Sequence, residues 1–111
     1  MHTNQELLSH FFSSIIKLMS HGSSDNYAEM VLKKFIKDKS AKYTFLNLID
    51  TNTLKSGVKI DPKINTVQQQ LIGQFISDLN NTLFSDLFRH LLASSLTPEL
   101  VNELKQMGVN I

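Results

Sequence analysis

The sequence predicts a mainly α-helical fold, a compact bundle of four to five helices around a long central helix at about residues 65–94. Apolar residues recur at three- and four-residue steps over most of the chain, the period of an amphipathic helix. Several of these runs also begin or end on residues that cap helices well. At 111 residues the chain reads as a single domain, residues 1–111, large enough for one core and too small for two.

The first helix is predicted over Asn4 to Ser20. Leu7, Leu8, Phe11, Phe12, Ile15, Ile16, Leu18 and Met19 take one half of its wheel, and Ser, His, Lys and Glu residues take the other. An apolar arc of about 180° is wider than the usual stripe and calls for more than one neighbour. Glu6 places an acid in the first turn, where the helix dipole favours it. Gly22 supplies the stop.

After the turn Gly22-Ser23-Ser24-Asp25, Asn26 is positioned to cap a second helix, with Glu29 reaching back as in a capping box. Tyr27, Ala28, Val31, Leu32, Phe35 and Ile36 form its apolar side, which makes a helical hairpin with the first helix. Residues 40–64 fit neither period well. Phe45, Leu46, Leu48 and Ile49 cluster as on a helix, while Tyr43 and Phe45, and later VKIDP, alternate as strands do. A short helix followed by a loop is the first expectation here. A small β-hairpin within 42–61 is the alternative, less favoured because isolated hairpins are marginal.

The central run, Val67 to Leu92, changes its apolar direction along its length. Val67, Leu71, Ile72, Phe75 and Ile76 centre on one side, and Leu83, Phe84, Leu87, Phe88, Leu91 and Leu92 on a side roughly 160° away at 100° per residue. A seam through Ile72, Ile76, Leu79, Leu83 and Leu87 joins the halves, so one continuous helix is expected, with a break at Asn80-Asn81 as the alternative. Gly73 costs about 1 kcal/mol inside a helix relative to Ala, which implies a close crossing or a kink there. The last helix is the best marked, with Thr97 as cap, Pro98 in its first turn, Glu99 beside it and Gly108 at its end. Val109 and Ile111 form an apolar tail that tucks against the core or a partner.

Composition removes several chemistries. No cysteine is present, which excludes disulfides, thiolate metal sites and a cysteine nucleophile. A net charge of +1 argues against a general polyanion binder. No run approaches the roughly 20 apolar residues of a membrane span, and no targeting signal is evident, so the chain reads as cytoplasmic.

Candidate functional residues are few. His10 and His21 fall on one side of the first helix but about 16 Å apart along its axis, too far to share an ion. His2 lies in a terminus expected to fray. Asp86 stands four residues before His90, the spacing of a helical ion pair. RHLLASS resembles the site of histidine phosphotransfer domains, in which Lys and Gly follow the histidine within a turn. Here Leu91, Leu92, Ala93 and Ser94 follow His90, so that chemistry is not adopted. Lys33, Lys34 and Lys37 form a basic patch on the second helix, with Glu29 and Asp38 interleaved. No phosphate loop, dinucleotide fingerprint or HExxH motif occurs, so no enzyme, metal site or cofactor is expected.

The function read from the sequence is a small non-catalytic regulatory or protein–protein interaction module, a homodimer joined through Leu83, Phe84, Leu87, Phe88 and Leu91. The chain carries more apolar surface than its few elements can cover. One alternative is a nucleic-acid-associated regulator using Lys33, Lys34 and Lys37. Another is a ligand-sensing domain with an apolar pocket beside Phe75, Phe84 and Phe88.

Overall fold

The computed structural model describes residues 1–111 and is mainly α-helical with one small hairpin. Five α-helices, α1 (Asn4–Ser20), α2 (Asp25–Lys39), α3 (Gln69–Leu83), α4 (Asp86–Ser95) and α5 (Pro98–Gln106), surround a single cluster of buried apolar side chains. Between α2 and α3, 3-10 turns at Thr44–Leu48, Thr51–Ser56 and Pro62–Thr66 flank an antiparallel pair, β1 (Ile49–Asp50) and β2 (Lys59–Ile60). Ile49 pairs with Ile60 and both are buried, so the pair serves as an edge of the core.

Helix α1 opens on a full capping box that the sequence reading overlooked. The Thr3 side chain accepts from the Glu6 N–H, and the Glu6 carboxylate accepts from the Thr3 N–H at 3.0 Å. Leu7, Leu8, Phe11, Phe12, Ile15 and Ile16 are all buried. Helices α2 and α4, strand β2 and the turns at 51–56 and 62–66 all come close to α1, so its wide apolar arc is covered by the chain itself. Gly22 is not the left-handed stop expected of it. His21 caps α1 in right-handed conformation, and only Gly57 and Gly108 have positive φ.

The cap of α2 is Ser24, whose hydroxyl accepts from the Tyr27 N–H at 3.1 Å, and not Asn26. The helix therefore starts two residues earlier than expected, and the Ser24 hydroxyl satisfies the orphan Tyr27 amide there. Asn26 and Glu29 instead receive Lys55: Asn26 Oδ1 accepts from Nζ and Glu29 Oε2 from the backbone N–H at 3.0 Å. The 51–56 turn is thereby tied to α2.

The run at 65–94 is two helices, not one. Residues 62–66 form a 3-10 turn, α3 begins at Gln69, and the chain extends at Phe84 (φ −118°, ψ 134°) and Ser85 (φ −68°, ψ 167°) before α4. Ser85 then caps α4 by accepting from the Phe88 N–H at 3.2 Å, with Asp86 in the first turn. Asn80 and Asn81 remain helical. The extended step at Phe84-Ser85 turns the chain at the point where the apolar direction changes, which one straight helix could not do while burying both faces.

Four residues of α3, Ile72, Phe75, Ile76 and Leu79, are fully buried. The Phe75 ring lies among Phe12, Phe35, Tyr43 and Phe45, with centroid distances of 5.8 to 6.4 Å. Aromatic contacts of this kind add about 0.5–1.5 kcal/mol each beyond burial. Gly73 marks the close crossing that its cost implied, because the backbone of Met107, just past α5, packs directly on it. Val109 is buried and Ile111 packs on the core, so the apolar tail folds inward.

Candidate functional site

Helix α4 is the least covered of the five helices. Among its residues only Leu92 is fully buried, and α1 is its main neighbour. Leu87 and Leu91, one turn apart, are 69% and 47% exposed. Phe88 is half-buried, stacked on Phe84 with ring centroids 4.3 Å apart and 24° between planes. The five residues read from the sequence as an interface therefore divide. Leu87 and Leu91 face outward, Leu83 and Phe88 are half-buried, and Phe84 belongs to the core.

The polar border of α4 also differs from expectation. Asp86 pairs with Arg89, not with His90, and Arg89 Nη1 donates to Asn81 Oδ1 at 2.9 Å. The Arg89 guanidinium is long enough to reach back to both groups, and this links the end of α3 to the start of α4. His90 is exposed beside it.

On α2 the expected basic patch is partly occupied by the chain itself. Lys33 Nζ donates to Asn52 Oδ1 at 2.6 Å, and Lys34 pairs with Asp38 at 3.2 Å. Lys37 is exposed. A second exposed apolar pair, Tyr27 and Met30, also lies on α2, at 50% and 58%. No cavity adjoins Phe75, Phe84 or Phe88; every recess in the surface is lined mainly by polar side chains.

A cluster absent from the sequence reading joins the two ends of the chain. His2, expected to fray, is held by Glu103 of α5: its N–H donates to Oε1 at 2.6 Å, and its Nδ1 lies 2.6 Å from Oε2. Glu103 is the one charged residue in the buried set. The hydrogen bond to Glu103 raises the His2 imidazole above its ordinary pKa. Burial pushes the Glu103 carboxyl upward, but the His2 hydrogen bonds and charge outweigh it and hold the group below the usual range. Glu99, one turn earlier on α5, brings a second carboxylate to the same place. The i, i+4 spacing of Glu99 and Glu103 was legible in the sequence; the third member, 101 residues away from Glu103, was not.

No protein-family model matches the chain, and no curated protein or solved structure gives a match.

Proposed function

We propose that this chain is a small non-catalytic interaction module that forms a homodimer through the outer face of α4. The observation that carries the reading is the exposed pair Leu87 and Leu91, extended by the half-buried Phe88 on the same helix. Two leucines one turn apart suit an isologous contact, in which antiparallel copies of α4 set Leu87 of each chain against Leu91 of the other.

Charge favours a second copy as the occupant. Asp86 and Arg89 neutralise one another on α4, and no unbalanced lysine lies along the helix, so two copies approach without like-charge repulsion. Tyr27 and Met30 on α2 make a poorer seam, because Glu29, Lys33 and Lys34 border them and would be desolvated. The wide face of α1 contributes nothing, being covered within the chain.

Sedimentation equilibrium tests the proposal. The native chain is expected to move from monomer mass toward twice that mass with rising concentration. The double variant Leu87→Glu, Leu91→Glu is expected to remain monomeric with unchanged helicity, since both positions are exposed. A native chain that stays monomeric at high micromolar concentration overturns the reading.

A further inference from the structure

We propose that His2, Glu99 and Glu103 form a binding site for a zinc-type divalent cation. Each offers one donor atom, and the three atoms lie within 4.8 Å of one another. They come from two places that the fold brings together, the residue before the α1 capping box and the first turns of α5.

The cluster is built rather than fortuitously close. The His2 backbone N–H fixes Glu103 through Oε1, which leaves Oε2 directed at the imidazole Nδ1. The His10 ring stands edge-on to the His2 ring, with 5.4 Å between centroids and 79° between planes, and so limits its rotation. Glu103 is buried where a carboxylate is costly unless matched by positive charge. Glu99 is exposed, and its Oε1 faces the Met1 amino group at 3.4 Å, a surface pair of the kind worth little and readily exchanged.

Bond lengths of about 2.0–2.2 Å to zinc set tetrahedral ligands roughly 3.3 Å apart. His2 Nδ1 and Glu103 Oε2 are 2.6 Å apart around a shared proton, so a separation of less than ~1 Å admits the ion in place of that proton. One imidazole and two carboxylates leave a fourth position for water. The nitrogen donor selects against magnesium and calcium, which take oxygen ligands.

The test is titration of the full chain with zinc chloride, followed by calorimetry and by the histidine ring signals in NMR. One ion per chain is expected, with the His2 signals moving first and those of His21 and His90 unmoved. His2→Ala is expected to abolish the site. Glu99→Gln alters an exposed side chain, so the fold is retained. Loss of even a supporting group at a metal site costs about tenfold or more, and loss of this ligand is expected to cost at least that. Millimolar magnesium is expected not to compete. Absence of saturable binding, binding that survives His2→Ala or Glu99→Gln unchanged, or binding reported first by His21 or His90 overturns the assignment.

Discussion

The carbonyl oxygen of Met107 lies 2.3 Å from where a Cβ on Gly73 would stand. Backbone packs on backbone at this point, and the missing side chain is what lets the end of α5 reach α3. In an exposed helix, Gly→Ala gains about 1 kcal/mol. Here the sign reverses, because the obstructing atom is main chain and cannot swing away. Gly73→Ala is expected to destabilise the protein by about 1–3 kcal/mol, as overpacking does, measured as a lower denaturation midpoint in urea. An unchanged or higher midpoint contradicts the crossing.

Asn80 is 1% exposed, and neither its side-chain oxygen nor its nitrogen has a hydrogen-bond partner. Each unsatisfied buried group costs about 1–3 kcal/mol. Leucine keeps the branched shape of asparagine and carries no polar atoms, so relief of the penalty is set against its bulkier methyl groups, and Asn80→Leu is expected to raise the urea midpoint, unusually for a core substitution. A loss of stability would mean that the amide is satisfied in solution.

Asn4 does the opposite work. Its buried amide donates to the Ile64 carbonyl at 3.0 Å and the Val67 carbonyl at 2.8 Å, and Gln5 Nε2 donates to the Ile60 carbonyl at 2.8 Å. The start of α1 thus holds the segment that carries no regular helix. Asn4→Ala leaves the Val67 carbonyl without its partner, while the Ile64 carbonyl keeps the Val67 N–H at 3.1 Å, at a cost of about 1–3 kcal/mol. Hydrogen exchange is expected to accelerate first around 60–67, not in α2; uniform acceleration would contradict the clamp.

Asp78 of α3 accepts from the Tyr43 hydroxyl at 2.5 Å and from Lys42 Nζ at 3.0 Å. The tyrosine hydrogen bond above all, with the lysine, holds its carboxyl below the usual range against the effect of burial. A lowered folded-state pKa gives stability that is complete above the unfolded value, 3.8, and is lost as pH falls through the folded one. Asp78→Asn is therefore expected to be less stable than the native chain at neutral pH. The gap is expected to narrow below pH 3.8, read from urea midpoints across pH; a gap constant over that range contradicts the pairing.

The helices were legible where period and caps agreed. Thr97-Pro98 and Gly108 marked α5 at both ends, and the half-wheel of α1 predicted its several neighbours. The break at Phe84-Ser85 was written in Ser85-Asp86, a cap followed by an acid, but the unbroken seam through Leu83 and Leu87 masked it. Within residues 40–64 the less favoured expectation, a small hairpin inside 42–61, is what forms, and the 3-10 turns around its two-residue ladder were not legible because they are too short to carry a period. What was least visible was distance in sequence. Leu83 and Phe84 looked as available as Leu87 and Leu91 until packing covered them, and His2 gave no sign that α5 would hold it.

Self-association through α4 is most directly tested by an isotope-filtered nuclear Overhauser experiment on an equal mixture of labelled and unlabelled chains. Contacts between molecules are predicted from the Leu87 and Leu91 methyl groups to one another and to the Phe88 ring. Contacts that arise instead from Tyr27 and Met30, or none at concentrations where the chain has dimer mass, would contradict the account.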